Sequence, residues 1–154
     1  MGKKKPIPKF DRLHFDAKND KPDEESVFGN SIHHMRRGAA VHKQVRQMVK
    51  AQMKVGMTYT EVVTMVEEKV RELTDATPDT YTRGMGFPCG ISINHVAAHD
   101  APNFNDTRTL KQDDVIKIDF GVQYNGYIID SAFTHTFDPK YASCLLYTSP
   151  SPRD

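Results

Sequence analysis

Between Gly29 and Lys54 the apolar residues Ile32, Met35, Ala39, Val45 and Val49 recur close to the helical period, and Lys54-Val55-Gly56 supplies a stop. This predicts a long amphipathic helix. Thr58-Tyr59-Thr60-Glu61 then has the spacing of a capping box, and Val62, Val66, Val70 and Leu73 line one face of a second helix that fades near Asp75. After that the period shortens. Ile91 to Asn94 reads as a short strand, and Val115 to Val122 alternates, with Ile116, Ile118, Phe120 and Val122 on one face and Lys117, Asp119 and Gly121 on the other. Asn125-Gly126 is a strong hairpin signal, and the β-branched and aromatic run from Tyr127 to Phe137 supplies the returning arm.

The 154 residues suit one domain, and 21 basic against 20 acidic side chains imply no polyelectrolyte partner for the chain as a whole. At 38% hydrophobic and a mean hydropathy of -0.61 the composition is polar, so part of the length is not core-forming. Residues 1 to 28 read as a disordered charged extension. Its Lys3 to Lys5 run could touch ribosomal RNA but reads first as solvated charge. Cys89 and Cys144 cannot build a disulfide framework, and no apolar run approaches the roughly 18 residues of a membrane span, so a cytoplasmic setting is the default. His33, His34 and His42 read as surface histidines, because adjacent helical positions diverge by about 100° and the first two cannot point the same way. Gly84 to Gly90 is glycine-rich, yet Cys89 occupies the sixth position of the fingerprint and a strand follows, so it is no dinucleotide loop. The sequon at Asn105 reads as chance.

With Asn125-Gly126 as a two-residue loop, Tyr124 pairs with Tyr127, Asp119 falls opposite Ala132, and Asp130 opposite Gly121. Both acids then share a face, with Cβ atoms roughly 7 Å or less apart. Strand interiors are poor in aspartate and like charges repel, so a cation is the simplest reason for the pair, the other being idle edge charge. Two adjacent carboxylates suit a pair of divalent ions. His99, before a proline-containing loop, and Phe87 read on their own as structural.

Taken together, Gly86-Phe87-Pro88, Asn94 with Ala97-Ala98-His99 and Pro102-Asn103, Lys117-Ile-Asp119-Phe-Gly121, Gly126-Tyr-Ile-Ile-Asp130 and Phe137-Asp-Pro-Lys-Tyr141 resemble the type 2 methionine aminopeptidases. The resemblance runs from about Arg37 to Tyr141 and corresponds to the N-terminal half of that family's catalytic domain. It implies an α+β fold, the first half of a pita-bread fold, with helices packed on an antiparallel sheet. It implies two divalent metal ions (Co, Mn, Zn or Fe) per complete site, with Asp119 chelating one and Asp130 bridging both. His99 would be the catalytic and substrate-contacting histidine, donating to the scissile peptide or the developing oxyanion, and Phe87 would line the methionine pocket. The implied reaction removes the N-terminal methionine of nascent polypeptides by two-metal activation of water, with a glutamate carrying the proton. One histidine and two glutamates, the family's other ligands, are expected outside this chain; His135 is no substitute, since its parity puts it on the apolar face.

Non-catalytic relatives of the same fold bind RNA and ribosomes and have lost metal carboxylates, whereas Asp119 and Asp130 are both kept here. A non-catalytic paralogue or short form that binds ribosomes or RNA stands as the alternative, ribosome association is a candidate partnership in either case, and no membrane or DNA partner is implied. Residues 144 to 154, Cys-Leu-Leu-Tyr-Thr-Ser-Pro-Ser-Pro-Arg-Asp, break the pattern, and their back-translation resembles a sequencing-library adapter. They read as a non-native tail on an inactive fragment.

Overall fold

The computed structural model describes residues 27–141, 143 and 145; the charged extension up to residue 26 and the tail from 144, apart from residue 145, lie outside the described residues. Helix α1 (Val27–Gln52) and helix α2 (Tyr59–Thr74) precede strands β1 (Arg83–Ile93), β2 (Val115–Tyr124) and β3 (Tyr127–Thr136), and a 3-10 turn spans Pro139–Tyr141. The strands form one antiparallel sheet in the order β1-β2-β3. Both helices lie on one face of it, α1 across β2 and β3 and α2 across β1. The expected α+β arrangement of helices on an antiparallel sheet is what forms. No helix among the described residues is long and apolar enough to cross a membrane.

Local signals start and stop α2. Thr58 Oγ1 accepts from the Glu61 amide at 3.1 Å while the Glu61 carboxylate accepts from the Thr58 amide at 2.6 Å, and Asp75 ends the helix in the left-handed conformation. Val62, Val66 and Val70 are then fully buried in the core that also holds Ile91, Ile116, Ile118, Phe120 and Val122. The sheet-facing stripe is the one the alternation predicted.

The face of α1 differs from the expected one over its first half. Ile32 and Met35 are 41% and 45% exposed, and Ala39 is exposed as well. The line of contact runs instead through Gly38, Val41, His42, Val45 and Val49. The helix comes so close to β3 that a Cβ on Gly38 would lie 2.8 Å from Ile129 Cγ1. A glycine and an imidazole at the contact carry no hydrophobic signal, so the periodicity slides onto exposed neighbours. The surface assignment of the histidines fails for the same reason: His33 and His42 are 7% and 4% exposed, and only His34 is half-buried, stacked on Tyr127.

The β2–β3 ladder is unbroken from Tyr124 opposite Tyr127 to Val115 opposite Thr136. Asn125 and Gly126 both take positive φ, 49° and 82°, as a two-residue turn matching the twist of the strands requires. β1 begins eight residues before the expected Ile91 and is irregular, with register shifts between Met85 and Phe87 and between Phe87 and Gly90. Its glycines and Pro88 are poor strand formers held in place by pairing with β2.

Replacing Thr58 by alanine removes the hydroxyl that accepts from the Glu61 amide and leaves only the backbone half of the capping box, and urea denaturation should record a loss of about 1 kcal/mol. Met35→Gln, on the exposed side of α1, should change stability by less than about 0.5 kcal/mol in the same measurement.

Candidate active site

The sheet face turned away from the helices carries the two acids. Asp119 lies opposite Ala132 and Asp130 opposite Gly121, the register that the two-residue turn implied. Asp119 Oδ1 is buried and has no hydrogen-bond partner. The nearest cation in sequence, Lys117, gives its ammonium to the Asn94 carbonyl at 2.8 Å. A buried carboxylate oxygen left unpaired is costly, and a bound cation is the group that would satisfy it. The donor set, carboxylate oxygens, suits a hard or borderline divalent ion. Among the described residues no group of three or more His, Cys, Asp or Glu side chains could hold a metal ion, and Asp119 and Asp130 are two carboxylates only.

Both aspartates open into a cavity of about 400 Å³ lined also by Phe87, Pro88, Gly90, His99 and Ala101. All four residues picked from the sequence, Phe87, His99, Asp119 and Asp130, therefore meet at one place. Phe87 reaches it by lying on Gly121, where a Cβ would overlap the ring, at 2.6 Å from Cδ1. The bulge around Phe87 to Gly90 sets three β1 steps against two of β2 and turns this ring over the sheet. A larger hollow of about 520 Å³, lined among others by Met48, Thr58, Glu61 and Met65 on the outer side of the helices, includes none of these residues. The carboxylate pair opens into the smaller one.

His99 stands on a loop that folds back along β1. It has φ 66°, a conformation that costs a non-glycine residue about 1–3 kcal/mol unless neighbours enforce it. The enforcement is visible one residue on. Asp100 O accepts from the Ile91 amide at 2.7 Å, its own amide donates to Ser92 Oγ at 3.4 Å, and its carboxylate takes both ends of the Arg108 guanidinium at 2.7 and 2.9 Å. Arg108 also binds Asp106 at 2.6 Å and stacks over the Tyr59 ring at 4.7 Å. Its hydrogen bonds hold the carboxyls of Asp100 and Asp106 below the ordinary range. Because those folded values are depressed, the clamp is at full strength above the usual carboxylate range and weakens as the pH falls through the depressed values.

Neither this clamp nor the glycine under Phe87 was read from the sequence; Asp100 and Arg108, eight residues apart across a loop, gave no periodic signal. Cys89, beside the site in sequence, points into the core at 1% exposure, and burial first, then Glu67 and Asp119, push its thiol up to about 12. At neutral pH it is no nucleophile.

The sequence profile of metallopeptidase family M24 matches residues 33–148. "Methionine aminopeptidase 2" of Komagataella phaffii is 44% identical over 137 residues, covering 89% of this chain and 30% of that protein. "Methionine aminopeptidase 2" of Dictyostelium discoideum is 50% identical over 118 residues, covering 77% and 27%. The chain thus spans about a third or less of the length of these relatives. Among solved structures, proline aminopeptidase P II from Yersinia pestis superimposes with a TM-score of 0.60 at 16% identity, covering 77% of this chain and 25% of that one. Methionine aminopeptidase from Rickettsia prowazekii gives 0.54 at 23% identity, covering 66% and 40%. These likenesses are of fold, the pita-bread architecture.

Gly121→Ala should drive Phe87 off the sheet and cost about 1–3 kcal/mol, read by urea denaturation. Arg108→Ala should release the His99 loop, with limited proteolysis between residues 95 and 107 rising roughly fivefold.

Proposed function

The chain belongs to metallopeptidase family M24, and we propose that it supplies the Asp119, Asp130, His99 and Phe87 side chains to the active site of a methionine aminopeptidase. The observation that carries this reading is the buried, partnerless Asp119 Oδ1 in a cavity shared with Asp130 and His99. Two divalent ions bound there would supply Lewis acidity, lowering the pKa of a coordinated water and polarising the scissile carbonyl.

The chain's own residues do the rest. Asp119, on the central strand, and Asp130, on its hairpin partner, would hold the cations. His99, fixed through Asp100 by Arg108, presents its imidazole to the N-terminal peptide unit and donates to the carbonyl oxygen as charge develops there. Phe87 forms an apolar wall for the methionine side chain, and Gly121 leaves the room in which the ring lies. The remaining ligands, one histidine and two glutamates, come from sequence outside this chain in the longer protein, so the 154 residues alone should not turn over.

The substrate is the N-terminal methionine of nascent polypeptides, and the setting the cytoplasm. Ribosome association is supported by α1, which carries Arg36, Arg37, Lys43, Arg46 and Lys50 and no acidic residue. The non-catalytic alternative is disfavoured by the retained carboxylate pair.

Titration with Mn²⁺, followed by calorimetry or electron paramagnetic resonance, tests the reading. Asp119→Asn and Asp130→Asn should each weaken binding at least about tenfold while leaving the fold intact by circular dichroism. Unchanged affinity in either variant would sink the metal site. A protein that joins this chain to its missing half should release methionine from a Met-Ala-Ser peptide, and either substitution should abolish that release.

A further inference from the structure

We propose that His42 is a positioning residue that fixes the spacing of the Asp119 and Asp130 carboxylates from the opposite face of the sheet. The proposal rests on the reading of those aspartates as metal ligands.

His42 Nε2 lies 3.0 Å from Phe120 O and 3.0 Å from Ser131 O. Carbonyl oxygens only accept, so Nε2 carries the hydrogen and one N–H is shared between the two strands. Phe120 and Ser131 are directly opposite each other in the β2–β3 ladder. Phe120 follows Asp119 and Ser131 follows Asp130. A single donor from α1 thus bridges the rung immediately behind both carboxylate residues. The imidazole is held flat on the Phe120 ring, with centroids 3.9 Å apart and planes parallel, and the close approach at Gly38 sets the depth of the helix one turn away.

Filling space does not explain this residue. An apolar side chain of similar size would fill the same volume without the cost of burying a polar ring, so the two hydrogen bonds are the feature that distinguishes histidine here. β3 has no strand on its outer side among the described residues, which leaves the β2 ladder to set where Asp130 stands relative to Asp119. A tie across that one rung resists shear and twist where ligand placement must hold to about 0.5 Å. Such support behind ligating side chains typically changes metal affinity by about 10–100-fold when removed.

The test compares His42→Leu, which keeps volume and loses the donor, with His42→Gln, which keeps an N–H donor of similar reach, in the 154-residue chain. In His42→Leu, amide hydrogen exchange at residues 119–121 and 130–132 should quicken roughly five- to tenfold. The rung of Gln123 and Ile128 should change little, and Mn²⁺ affinity should fall about tenfold. His42→Gln should restore both. Unaltered exchange and affinity in His42→Leu overturn the proposal, as do losses spread evenly along the hairpin that glutamine does not repair. Asp119→Asn separates this from the premise: unchanged Mn²⁺ binding there sinks the metal reading and the proposal with it. Loss there beside an unaffected His42→Leu sinks the positioning role alone.

Discussion

Asn125 and Gly126 hold the whole arrangement in register. Because both adopt positive φ in a two-residue turn, Tyr124 must face Tyr127, and every later pair follows without freedom. A slip of one residue would exchange the faces of β3, sending Asp130 into the core and Phe133 to the surface. The register therefore places the acids, and with them the cavity. It also explains why Ile118, Phe120 and Val122 can be fully buried one to three residues from Asp119: the sheet is one residue thick, and alternation alone separates its two chemistries.

That separation is incomplete at one point, and the exception is informative. The apolar face is packed by valines from both helices, yet a histidine interrupts it where the rung behind the two aspartates passes. Burial pushes the His42 imidazole below its ordinary pKa, consistent with a neutral ring serving as a fixed donor. The opposite face has its own exception in Gly121, which is a glycine because an aromatic ring needs the space. Each face thus carries one residue chosen for what happens on the site side.

How far the sequence is legible depends on how local the deciding interaction is. α2 was readable because its capping box and valine stripe lie within a few residues of one another, and the β2–β3 register because a dipeptide determines it. The inward face of α1 was not, since Gly38 and His42 are chosen by contacts with Ile129, Phe120 and Ser131, about eighty to ninety residues away. The first part of β1 was missed likewise: Gly84, Gly86, Pro88 and Gly90 contradict strand propensity, and only pairing to β2 holds them. The candidate site residues were picked out by joint resemblance, the aspartates alone by spacing. Arg108 escaped both routes, because its partners are brought to it by the closing of a loop.

The three ways in which the site's side chains are held have different stiffness. Asp119 and Asp130 stand on paired strands whose ladder is backed by a helix, so their separation is set by backbone hydrogen bonds and packing. Phe87 stands on a bulge and is kept down by contact with Gly121, an arrangement a single methyl group would disturb. His99 stands on a loop in a strained conformation and depends on an ion pair whose arginine is about half exposed. Stiffness thus falls from the floor of the cavity to its rim. A metal centre tolerates little displacement of its ligands, whereas a group that must meet an arriving peptide benefits from some play. The gradient suits the roles proposed for these residues.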